Sequence, residues 1–163
     1  MSGAVGSLLL VWAGIERSAR DEVIQAHGGL PKSAHSIAGL LRDWERTVIA
    51  GHPATSLCPL LARSLRAKLQ EPLGIRNGIC HRLIGVWAAR EDMTAALHWE
   101  INGEKHSISW EDLQASLSWL SKIRLAFSII SNSSLESLGN RAIDNAENRE
   151  WWLTEFGLNL PIE

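Results

Sequence analysis

The chain has 163 residues, which is enough for one domain with a substantial hydrophobic core. Its 45% hydrophobic and 21% charged residues are typical of a soluble globular protein, and its net charge of −2 excludes a general basic surface for a long nucleic acid. Cys58 and Cys80 provide neither a disulfide framework nor a zinc-binding spacing, so we expect a cytoplasmic protein. The sequence has no Walker, Rossmann or HExxH motif, and we expect no metal and no cofactor. The apolar run over residues 5–15 is too short to span a membrane.

Apolar residues at helical spacing predict five helices in a single domain. Gly, Pro, Ser and Asn clusters separate them. A thin apolar stripe over residues 135–149 is weakly helical, and the tail 150–163 is apolar without a clear period, so we expect the tail to dock on its own bundle or on a partner. The five predicted helices cover about residues 1–27, 33–51, 55–70, 77–90 and 111–131.

The break between the third and fourth predicted helices contains the candidate site. Pro72 and Gly74 disfavour a helix interior, and Asn77 is a favoured N-cap, so we expect a new helix to begin at Asn77. Asn77 and His81 would then share one helix face. Arg76, just before that helix, would fold back over its end, where unpaired backbone N–H groups attract phosphate. The alternative is that the three residues have only structural roles: a capping Asn, a solvated Arg and a half-buried His.

Basic side chains are densest around this break, which indicates possible contacts with an RNA backbone. Arg63 and Arg66 precede the break and Arg82 follows it. The first helix carries charged residues on its polar face, among them Glu16 and Arg20. A solvated, solubilising face is the competing interpretation of all five residues.

Apolar and polar residues alternate on both sides of Asn102-Gly103, and this dipeptide favours a type I′ turn. The pattern predicts a β-hairpin. Its register sets Glu100 opposite Lys105 on one face and Trp99 opposite His106 on the other.

The motif Arg76-Asn77-x-x-x-His81, in a small helical protein, resembles the HEPN superfamily. Most members of that superfamily are metal-independent ribonucleases, and many are toxins or antiviral effectors. The family motif is an Arg followed four to six residues later by a His, with a polar residue, often Asn, directly after the Arg. Toxins of one branch carry a Tyr two residues after the His that a partner enzyme adenylylates. This chain has Leu83 there and no tyrosine, so that mode of neutralisation is excluded.

The resemblance implies a mainly α fold, an up-and-down HEPN-like bundle with one β-hairpin insertion around residues 96–109. It covers the motif and the helical pattern of residues 1–90, and says little about residues 94–163. Core helices would lie at about residues 1–90 and 111–131.

The resemblance also implies a function: a toxin or antiviral effector that cleaves RNA by attack of the 2′-OH, at a composite site in a homodimer interface. His81 would be the general acid and base, Arg76 would clamp the phosphate, and Asn77 would orient the phosphate or the histidine. In HEPN-like bundles, polar residues of the first helix approach the active site, so the resemblance makes Glu16 and Arg20 secondary candidates for contacting RNA. An antitoxin or sensor protein would be a further partner. One alternative is a non-catalytic HEPN-like dimer acting as an adaptor or nucleotide-binding partner. Another is an unrelated helical interaction protein, with Arg76 and His81 on separate surfaces.

Overall fold

The computed structural model describes residues 2–87, 94–131 and 139–161. Across these ranges the chain is mainly helical and carries a small antiparallel sheet, which confirms the predicted mainly α class with a hairpin. None of these helices is both long and apolar enough to cross a membrane. Short 3₁₀ turns lie at Lys32–His35 and Gly139–Ala142; the other elements are α1 (Ser2–His27), α2 (Ile37–Gly51), α3 (Cys58–Lys68), α4 (Gln70–Arg82), β1 (Leu83–Trp87), β2 (Ala96–Ile101), β3 (Glu104–Ser109), α5 (Trp110–Ser131) and α6 (Ala146–Phe156).

The chain forms two compact units. The sheet unit comprises Met1–Trp12 and Gln70–Ser121, and it contains α4 and all three strands. The helical unit comprises Ala13–Leu69 and Lys122–Glu163, and it contains α2, α3 and α6.

The hairpin of the sheet unit has the predicted turn and the predicted register. Asn102 and Gly103 both adopt positive φ, 53° and 83°, as a type I′ turn requires. Trp99 lies opposite His106, and their rings stack with centroids 5.9 Å apart. On the other face Glu100 lies opposite Lys105.

The predicted fourth helix, about residues 77–90, is wrong at both ends. At its C-terminal end, the segment Leu83–Trp87 is strand β1, which pairs with β2 to give the sheet order β1-β2-β3. A bulge interrupts the pairing between Leu83 and Gly85. The strand forms because β2 offers it a backbone partner that the local sequence does not reveal. Residues 88–90 lie outside the described part of the chain.

At its N-terminal end, the helix begins at Gln70, seven positions before the predicted start. Leu69 keeps helical angles, φ −74° and ψ −11°, so α3 and α4 follow each other with one residue between them. Pro72 is tolerated because it lies in the first turn of α4, where a backbone N–H has no intrahelical partner to lose. Gly74 costs about 1 kcal/mol relative to alanine, which the buried side of the helix offsets.

Helix α4 packs on the sheet through its smallest residue. Gly78 lies against the indole of Trp99, and a Cβ at Gly78 would overlap that ring. Trp99 is 5% exposed as a result. Other buried apolar residues of the sheet unit include Leu73, Ile79, Leu97, Ile108 and Leu113.

The helical unit is organised around the buried Trp44. Its ring centroid lies 4.1 Å from that of Phe127 in α5, and its indole N–H donates to Ser131 Oγ at 2.9 Å. Helix α2 begins at Ile37 instead of about Ser33, because the Ser36 side chain caps it after a 3₁₀ turn. Other buried residues of the unit are Ile15, Ala19, Leu40, Leu61, Leu65 and Ile130.

The apolar tail docks on its own unit, one of the two outcomes that the sequence predicted. Its first half forms α6, capped by Asn145 at the start and by Gly157, at φ 62°, at the end. Trp152 is fully buried, and Leu158 and Leu160 beyond the helix are buried as well. The stripe predicted over residues 135–149 falls partly outside the described residues, and its described part is a 3₁₀ turn followed by the start of α6.

Candidate functional site

Asn77 and His81 lie together on the exposed face of α4. Both side chains are exposed, and residues four apart on a helix point within about 40° of each other. Gly74 lies on the same face, and a Cβ there would meet nothing within 4 Å. This face therefore presents an amide and an imidazole with open space around them.

Arg76 reaches Asn77 from a different side of the helix. Five helical residues correspond to a rotation of about 140°, so Arg76 and His81 leave the helix in different directions. The Arg76 side chain is half-buried, and its Nη1 donates to Asn77 Oδ1 at 2.9 Å. Its Nε is buried, with no hydrogen-bond partner in the described part of the chain. The hydrogen bond to Asn77 uses one of the five N–H donors of the guanidinium, so its Nη atoms keep donor capacity for a ligand.

The predicted helix N-terminus at this site is wrong. Because α4 begins at Gln70, Asn77 lies in the helix interior, where backbone N–H groups are used by intrahelical hydrogen bonds. Asn77 is therefore not an N-cap, and no free backbone donors surround Arg76. Any phosphate bound here would be held by side chains alone.

The five secondary RNA-binding candidates differ in how their charges are used. Arg66 donates through Nε to Glu45, and Arg20 pairs with Glu16 at 2.8 Å. Those charges are already compensated. Arg82, directly after His81, and Arg63, in α3, are exposed and have no ion-pair partner among the described residues. Arg63, Arg66, Glu16 and Arg20 belong to the helical unit, whereas Arg82 belongs to the sheet unit with the motif.

A cleft of about 600 Å³ lies beside the N-terminal half of α4, within the sheet unit. Two carboxylates, Glu71 and Asp112, line it together with His106, and no lysine or arginine is among its lining residues. Such a lining repels phosphate. Its residues come from α4, β2, β3 and α5, so no local spacing in the sequence predicts the cleft. The Arg76, Asn77 and His81 side chains lie outside it.

Within the described ranges, no group of three or more His, Cys, Asp or Glu side chains is placed to hold a metal ion. Comparison with known proteins gives no match: no protein-family model, no curated protein and no solved structure is similar to this chain. What the site does is therefore argued from its own chemistry.

Proposed function

We propose that this chain is a HEPN-type endoribonuclease that cleaves RNA without a metal ion and acts as a toxin or antiviral defence effector. The observation that carries the proposal is the arrangement on α4. The His81 imidazole and the Asn77 amide are exposed on one face, and the Arg76 guanidinium donates a hydrogen bond to that amide. The mainly helical fold is compatible with a HEPN-like bundle.

These three side chains supply the groups that RNA transesterification needs. An imidazole takes the proton from the 2′-OH, whose oxygen attacks phosphorus, and a second imidazole protonates the 5′-oxygen as the P–O5′ bond breaks. Arg76 donates to the phosphorane oxygens as negative charge accumulates on them. Asn77 holds the Arg76 guanidinium through its 2.9 Å hydrogen bond. The products carry a 2′,3′-cyclic phosphate and a 5′-hydroxyl.

Two copies of the chain are required, because one imidazole cannot act as base and acid in the same step. A two-fold pairing through the exposed face of α4 brings two His81 side chains into one crevice. Strand β1 supports this pairing, because it follows His81 almost directly and exposes apolar side chains that a partner would cover. Leu83, Ile84, Val86 and Trp87 are 40%, 60%, 51% and 53% exposed.

The test is cleavage of a fluorescent single-stranded RNA by the purified protein, with and without EDTA. We expect cleavage that EDTA does not inhibit, products with cyclic phosphate ends by mass spectrometry, and no cleavage of the matching DNA. His81→Ala and Arg76→Ala each lower the rate at least about 100-fold. The controls are His35→Ala and Arg42→Ala, which change exposed residues outside the site. Cleavage by His81→Ala at the wild-type rate refutes the proposal.

A non-catalytic adaptor is the second candidate, and the exposed apolar strand β1 is the observation that favours it. An adaptor offers β1 to an antitoxin or sensor protein and turns over no RNA. Expression of the wild type beside His81→Ala in growing cells separates the two functions. A nuclease arrests growth only with His81 intact, whereas an adaptor gives the same growth in both strains.

A further inference from the structure

A cleft of about 500 Å³ lies within the helical unit, where the end of α2, the start of α3 and the start of α6 meet. Ile49, Pro59 and Leu60 give it an apolar wall. His52, Arg63 and Arg149 give it a polar wall. Amphipathic clefts of this size bind small organic molecules whose polar group is recognised by a few placed side chains.

The polar wall is cationic. Arg149 is held in place: its Nε and Nη2 donate to the Asp144 carboxylate at 2.6 and 2.8 Å, and its Nη1 donates to the Pro161 carbonyl at 2.8 Å. The ion pair with Arg149 neutralises the Asp144 carboxylate, which is the only carboxylate among the residues that line the cleft. Arg63 is exposed and has no ion-pair partner within the described residues. Its positive charge is therefore uncompensated at the mouth of the cleft.

Helix α6 begins at the same place and strengthens the attraction for anions. Asn145 is its N-cap, and the Asn145 side chain accepts from the backbone N–H of Asn148 at 2.8 Å. Ala146, the first helical residue, lines the cleft. The His52 ring is fixed by a 3.0 Å hydrogen bond from Nδ1 to the Val48 carbonyl, so Nδ1 is the donor there, and Nε2 has no hydrogen-bond partner among the described residues.

We propose that this cleft binds an organic phosphate, with the phosphate against Arg63 and the start of α6 and the organic body against Ile49, Pro59 and Leu60. Arginine recognises phosphate by paired, charge-assisted hydrogen bonds, and a helix start adds aligned backbone N–H groups. The site goes beyond the proposed ribonuclease, because it uses none of the residues assigned to catalysis. The phosphate is carried either by a free nucleotide or by an RNA chain.

The test is isothermal titration calorimetry of the full-length protein with three probes: AMP, inorganic phosphate and a 2′-O-methyl RNA hexanucleotide, which contains only internal phosphodiesters and has no 2′-OH for the proposed cleavage. We expect saturable AMP binding that is tighter than binding of inorganic phosphate, because only AMP uses the apolar wall. Arg63→Gln weakens AMP binding at least about ten-fold. Tighter binding of AMP than of the hexanucleotide assigns the site to a free nucleotide. Tighter binding of the hexanucleotide assigns it to RNA if Arg63→Gln weakens that binding, and otherwise overturns the proposal.

Two further variants make the result specific. Asp144→Asn removes the carboxylate and releases Arg149, so AMP binds several-fold tighter than to the wild type. Arg42→Gln, which changes an exposed arginine outside the cleft, leaves binding unchanged. Absence of binding of all three probes, or equal binding by Arg63→Gln and wild type, overturns the proposal. His81→Ala leaves AMP binding intact, so failure of this site is distinguishable from failure of the proposed nuclease.

Discussion

Gly78 is a point of close approach between α4 and the sheet, because its missing side chain leaves room for the Trp99 indole. Gly78→Ala forces the ring or the helix to move, and overpacking of this kind costs about 1–3 kcal/mol of unfolding free energy. Urea denaturation measures the loss. Gly74→Ala is the matched control on the same helix: a Cβ there meets nothing, so it stabilises by about 0.5–1 kcal/mol. Equal stability of Gly78→Ala and wild type would show that the contact is looser than the structure indicates.

Asp144 links stability to pH, because two hydrogen bonds from Arg149 lower the pKa of its carboxyl below the ordinary 3.8. A lowered folded-state pKa contributes stability above the unfolded-state pKa, and the contribution is lost as the pH falls through the folded-state value. Asp144→Asn should therefore lower the unfolding free energy at neutral pH by up to about 1 kcal/mol. The difference from wild type should disappear on acidification.

The measurement is the unfolding free energy from urea titrations at a series of pH values between neutral and strongly acidic. Glu150→Gln is the control, because Glu150 is an exposed carboxylate in α6, the helix that begins just after Asp144, and it has no ion-pair partner in the described part of the chain. Its difference from wild type should stay small throughout. A difference for Asp144→Asn that persists at the lowest pH would assign its effect to packing.

At the scale of elements, the hairpin could be predicted because its information is local. Asn102 and Gly103 are residues that tolerate positive φ, and they adopt it. Strand β1 could not be predicted in the same way. Leu83–Trp87 is a short apolar run with no period of its own, and its pairing with β2 depends on residues some distance along the chain.

The start of α4 shows the same limit in the candidate site. Pro72 and Gly74 are breakers in a helix interior, but only the structure reveals that Pro72 falls in a first turn. The sequence therefore predicted Asn77 as the cap of a helix, with free backbone N–H donors beside it. In the structure Asn77 lies inside α4, where those donors are used by the helix. The prediction that Asn77 and His81 share a face did not depend on where the helix begins, because residues four positions apart lie on the same face of any α-helix.

Strand β1 yields a prediction of its own. Ile84 lies at the bulge and is 60% exposed, so Ile84→Lys places a charge in the surface proposed to pair while leaving the fold intact. We expect the dimer to dissociate at least about ten-fold more readily, and the unfolding free energy to change by less than about 0.5 kcal/mol. Sedimentation velocity measures the dissociation of the dimer, and urea denaturation measures the unfolding free energy. Leu153→Lys, at 44% exposure in the helical unit, is the control that should leave the dimer unchanged.

At the scale of the whole molecule, the two units divide the candidate chemistry between them. Arg76, Asn77, His81 and Arg82 belong to the sheet unit, and the cationic cleft around Arg63 belongs to the helical unit. Composition could not predict this division. The net charge of −2 is a sum over the whole chain, and it does not show that one cleft is lined by basic side chains and another by acidic ones. Sequence spacing identified the α4 residues, which lie on one element. It did not predict the cleft around Arg63, because the walls of that cleft come from three different helices.

If two copies share one catalytic crevice, as we propose, an inactive copy should inhibit an active one. His81→Ala subunits that exchange with wild type form heterodimers with a single imidazole, which lack either the base or the acid. A ten-fold excess of the variant leaves about one wild-type chain in eleven paired with another wild-type chain, so cleavage per wild-type chain falls about ten-fold. The double variant His81→Ala/Ile84→Lys, which pairs poorly, should inhibit far less. The rate of RNA cleavage after subunit exchange measures both. Unchanged cleavage with His81→Ala in excess would mean that each chain carries a complete site and that pairing serves another purpose.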